Sequence, residues 1–95
     1  MDEAGLAQQV IEACASALQA RGGRHAVCVC LRIGPAAAVD PYALRFCFDA
    51  LKQGTALRFA ALDIECPASA PPDDAAALYI RYLEFGTETK LARGR

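Results

Sequence analysis

An α+β fold, with two helices packed on one face of a small three-stranded mixed sheet in the order α-β-α-β-β, is predicted for this 95-residue chain by three observations. Two segments repeat their apolar residues at helical spacing, and three short runs are β-branched or alternate apolar with polar. Glycine and proline stand at the joints between them. One hydrophobic core is all that such a length supports, so residues 1–85 are expected to form a single domain and 86–95, a polar GTETKLARGR, a tail.

Residues 3–20 read as the first helix, because Leu6, Val10, Cys14, Ala17 and Leu18 fall on one stripe with Gln8, Gln9, Glu12, Ser16 and Gln19 mostly off it. Gly5 weakens its first turn, and Gly22-Gly23 ends it through the left-handed conformation glycine accepts. The run AVCVCLRI at 26–33 is a strand with two largely apolar faces, Val27, Val29, Leu31 and Ile33 on one and Ala26, Cys28, Cys30 and Arg32 on the other. It is therefore expected at the centre of the sheet. Asp40-Pro41 opens the second helix with a cap and a proline suited to the first helical position. Leu44, Phe48 and Leu51 form its inner stripe beside Cys47, and Gly54 closes it. Residues 62–66 alternate as a strand, with Asp63 and Glu65 outward. PASAPPDD at 67–74 is a loop, and LYIRYLEF at 78–85 is the third strand. The first two strands, joined through a helix, are expected to run parallel, and the last two antiparallel through the proline loop.

Composition narrows the function classes. With 55% hydrophobic and 22% charged residues the chain is globular, although alanine supplies 21 of the hydrophobic ones. A net charge of −1 argues against nucleic-acid binding, which rests on a basic face. No stretch approaches the roughly 18 apolar residues of a membrane span. The acidic start Met1-Asp2-Glu3 does not resemble a signal peptide, so a cytoplasmic protein is expected. Cys14, Cys28, Cys30, Cys47 and Cys66 are odd in number and contain no CxxC pair, a pattern of reduced thiols that fill space. One histidine, His25, no glycine-rich phosphate loop and no nucleophile beside a base make an enzyme an unfavoured reading.

The order and spacing of several short motifs resemble the HypA/HybF family of nickel-insertion accessory proteins for nickel–iron hydrogenase. These are L-R-I-G at 31–34, the valine–acid–proline turn at 39–41, L-R-F-x-F at 44–48, Gly54-Thr55 and A-x-L-x-I-E at 60–65. LAQQVIEACASAL and LYIRYLEF stand where that family has its first helix and last strand, so the resemblance covers about residues 1–85. It implies an accessory role in hydrogenase maturation, in nickel delivery or in docking to the hydrogenase large subunit or a HypB-type GTPase.

Two departures modify that expectation. The family begins Met-His-Glu and binds nickel through the terminal amine, nearby amide nitrogens and the histidine. Here Met1, Asp2 and Glu3 are the corresponding residues, and a carboxylate is a poorer partner for square-planar nickel than imidazole, so the site is expected to be weak. The family also inserts a zinc domain with two CxxC pairs before its last strand, where this chain has only PASAPPDD. No zinc is expected, and a metal-free adaptor is the alternative function.

Each candidate also has a structural reading. Asp2 and Glu3 suit a helix start as caps. Cys28 and Cys30 share a strand face and could bind a soft metal or form a redox pair, but space-filling is favoured. Cys66 is expected to be the most accessible thiol. The face bearing Cys28 and Cys30, extended by Tyr79, Leu83 and Phe85, is expected to remain apolar once two helices cover the other side, and so to form a partner or homodimer interface.

Overall fold

In the computed structural model, described over residues 2–22 and 25–86, the elements are α1 (Glu3–Ala20), β1 (Ala26–Ile33), α2 (Pro41–Leu51), β2 (Ala61–Glu65) and β3 (Leu78–Phe85). These are the two helices and three strands that periodicity predicts. Methionine 1 and most of the expected C-terminal tail, residues 87–95, lie outside the described residues.

The sheet order is β2-β1-β3, with β1 central, parallel to β2 and antiparallel to β3. The last two strands run in opposite directions, as expected, but they are not neighbours. The loop between them crosses the end of β1 and delivers β3 to its far edge. Both halves of β1 offer long apolar runs that need partners on either side, and that decides the pairing.

Two irregularities rephase the strands. Ala26 faces Phe85 and Cys28 faces Glu84, leaving Val27 as an extra residue on β1. Cys30 faces Tyr82 and Leu31 faces Ile80, leaving Arg81 as an extra residue on β3. A bulge sets two residues against one and shifts the alternation beyond it. Ala26 therefore joins Val29, Leu31 and Ile33 in the core, whereas Val27 is 47% exposed. The simple split of β1 into odd and even faces is corrected at these two positions, Ala26 and Val27.

The core lies between the helices and one face of the sheet. Ala7, Val10, Ile11, Cys14 and Leu18 of α1 and Leu44 and Phe48 of α2 close over Val29, Leu31, Ile33 and Leu62. Leu51, expected on the inner stripe, is 39% exposed because α2 ends there. Leu57, from the turn that follows, is fully buried instead. Side chains of the helix end hold that turn: Lys52 Nζ donates to the Ala60 carbonyl at 2.7 Å, and Thr55 Oγ1 accepts from Leu57 N at 3.1 Å.

Candidate functional site

Parallel pairing of β1 and β2 forces α2 to run back against both strands, and the short link from α1 into β1 forces α1 to do the same. The helices therefore point the same way, and their N-termini meet beyond the C-terminal ends of β1 and β2. There the Glu3 carboxylate accepts a hydrogen bond from the Asp40 backbone N–H at 2.9 Å, joining the start of α1 to the cap of α2. The Asp2 carboxylate accepts from Gly5 N at 3.1 Å, and the Asp40 carboxylate accepts from Tyr42 N at 3.0 Å. Three acidic side chains are thus held where free backbone N–H groups and two helix dipoles favour negative charge. Gly5 has a local use: a Cβ there would lie 2.5 Å from the Asp2 carboxylate that folds over the first turn.

This end of the molecule offers carboxylate oxygens and main-chain nitrogen, with no imidazole. His25 precedes β1, so the eight residues of that strand, roughly 25 Å at about 3.3 Å each, separate it from the N-termini. Its backbone carbonyl accepts from Gly86 N at 2.9 Å, which ties it to the end of β3. Among the described residues no group of three or more His, Cys, Asp or Glu side chains could hold a metal ion.

Of the residues expected to form an interface, Cys28, Cys30 and Tyr79 lie on the sheet face away from the helices. Leu83 and Phe85 turn to the other side, packed against the core, with the Arg21 guanidinium 5.0 Å from the Phe85 ring centroid. The outer face is not simply apolar. Arg32 Nη2 donates to Glu65 Oε1 at 2.8 Å and Arg81 Nη1 donates to Glu65 Oε2 at 3.0 Å, a clamp across all three strands. The Arg32 hydrogen bond holds the Glu65 carboxyl below its ordinary range. Sequence reading pointed Glu65 outward but did not find either partner, since Arg32 and Glu65 become neighbours only through the β1–β2 register.

Three of the five thiols, Cys14, Cys28 and Cys30, are poorly placed for chemistry. Burial, and then the charge of Glu65, push Cys30 up, and burial followed by Glu84 does the same to Cys28. Thiolate, the form that ligates metals and attacks disulfides, is disfavoured at both. Cys14 is buried between helix and sheet and is pushed up to about 11. Cys66 is exposed, beside Pro41, Tyr42, Arg45 and Ile64 around a hollow of about 350 Å³.

The family model described as HypA, hydrogenase/urease nickel incorporation, metallochaperone, matches residues 1–70. Two relatives are hydrogenase maturation factors HypA. The one from Methanopyrus kandleri is 37% identical over 65 residues, 68% of this chain and 46% of that protein. The one from Geotalea uraniireducens is 42% identical over 65 residues, 68% of this chain and 56% of that protein. The chain thus spans about half the length of the curated relatives it matches. The solution structure of the Ni metallochaperone HypA from Helicobacter pylori superposes with a TM-score of 0.78 at 15% identity, covering 93% of this chain and 100% of that one, which is a likeness of fold. No helix among the described residues is long and apolar enough to cross a membrane. The matched span includes both helices, β1, β2 and the acidic junction of the two helix N-termini, and the chain belongs to the HypA family.

Proposed function

We propose that this protein is a non-enzymatic accessory factor in nickel–iron hydrogenase maturation, working in the cytoplasm. Its cargo is a nickel ion held weakly at Met1, Asp2 and Glu3. The supporting observation is that the family match includes residues 1–3 and both helices. The unpaired N–H groups of a helix start leave main-chain nitrogen available there, and the acidic side chains Asp2, Glu3 and Asp40 add negative charge close by. Docking to the hydrogenase large subunit or to a HypB-type GTPase, with no structural zinc, completes the reading.

A specific observation favours a second reading, a metal-free adaptor. Asp2 and Glu3 both spend their carboxylates on backbone N–H groups, so a metal recruiting Asp2 must first uncap α1. Calorimetric titration of tag-free protein with nickel separates the two. Micromolar or tighter binding that disappears when the terminal amine is blocked supports delivery, whereas absence of heat leaves the adaptor. Asp2→His is expected to strengthen square-planar nickel binding, because imidazole replaces a carboxylate. No gain in affinity would mean that the scaffold no longer presents the terminus to a metal.

A further inference from the structure

The two edges of the sheet are treated differently. Along β2, Arg45 Nη1 donates to the Leu62 carbonyl, and just before the strand Lys52 Nζ donates to the Ala60 carbonyl, so side chains from α2 and its end occupy carbonyls there. Among the described residues no side chain donates to a β3 carbonyl, and β3 contains no proline, no lysine and no inward charge. Those are three of the means of protecting an edge, and a bulge, which β3 does carry at Arg81, is another. The inward residues of β3, Leu78, Ile80, Leu83 and Phe85, are only half-buried. A hollow of about 210 Å³ remains where α1 meets Leu78 and Ile80.

The bulge at Arg81 gives this edge a symmetry. An evenly alternating strand of eight residues cannot pair antiparallel with its own copy along its full length, end to end, because every opposed pair would set an inner side chain against an outer one. The extra residue makes the order of faces in, out, in, out, out, in, out, in, which reads the same from either end.

We propose that β3 pairs antiparallel with β3 of a second copy of this chain, about a two-fold axis between Arg81 and Tyr82. In that register Leu78 opposes Phe85 and Ile80 opposes Leu83 on the helix side, each covering apolar surface the single chain leaves half-exposed. On the outer side Tyr79 opposes Glu84 and Arg81 opposes Tyr82, with the Arg81 guanidinium kept in its ion pair with Glu65 of its own chain. Every contact occurs twice, and the two sheets join as six continuous strands with all four helices on one side. Cys28 and Cys30 lie outside the contact. The pairing does not depend on nickel binding.

Sedimentation velocity over a concentration series on the full chain tests the pairing. The expected result is a reversible monomer–dimer equilibrium. Tyr79→Glu, at a 37% exposed position, sets glutamate against Glu84 twice and is expected to weaken the dimer by roughly tenfold. Adding Glu84→Arg to that variant restores opposite charges and is expected to restore the dimer. Thermal melting verifies that the variants fold, and amide exchange on the wild-type chain gives an independent reading: protection along residues 78–85 rises with protein concentration. A single-chain mass at every concentration, exchange that ignores concentration, or a dimer indifferent to Tyr79→Glu or not restored by Glu84→Arg would overturn the proposal.

Discussion

Asp40 holds the start of α2 with its side chain and receives Glu3 with its backbone N–H. Its carboxylate accepts from Tyr42 N and, at 3.4 Å, from Ala43 N. Asp40→Ala is expected to cost about 1 kcal/mol in denaturant unfolding, the usual loss for a cap, with little change of fold. Cys14 offers a pH handle. Its thiol titrates near its ordinary value in the unfolded chain, about 8.5, and at about 11 in the folded one, because burial penalises the thiolate. The folded state thus keeps a proton that the unfolded state gives up. This contribution is fully present below the unfolded value and is lost as pH rises through the folded one. Cys14→Ala should flatten the decline in stability across that alkaline window, measured as melting temperature against pH.

At the scale of elements, the loop between β2 and β3 is an integral part of the sheet end. Gly34 N donates to the Ala77 carbonyl at 2.8 Å and Ala36 N to the Ala75 carbonyl at 2.6 Å, so the segment after PASAPPDD lies against the end of β1. A Cβ on Gly34 would run into the backbone carbonyl oxygens of Asp74 and Ala75, which are not flexible side-chain ends. Gly34→Ala is therefore expected to destabilise the chain by about 1–3 kcal/mol, as overpacking does. Amide exchange should rise first over residues 71–77. The Gly34-Pro35 pair was legible as the end of a strand. Its role as the floor beneath another loop was not, because that contact joins residues some forty positions apart.

At the scale of the molecule, α1 and α2 converge on one central strand, and Phe48 is among the largest side chains fully buried there. Phe48→Ala should cost about 3–5 kcal/mol in chemical denaturation, enough to threaten a domain whose expected total stability is about 5–15 kcal/mol. The five elements, the central place of β1 and the core roles of Leu44, Phe48, Val10 and Leu18 were legible because apolar periodicity records which face each element buries. The family, too, was legible, from short motifs in a fixed order. The sequence by itself also determined the acidic N-terminus and the short loop, since those are facts of composition at known positions. Only the tertiary structure decided that β3 lies beside β1, that Leu83 and Phe85 face the helices, and that Glu65 is clamped by Arg32 and Arg81. Each depends on strand order or on a one-residue bulge. A slip of one residue exchanges the faces of a strand, and hydropathy pattern alone does not fix where the slip occurs.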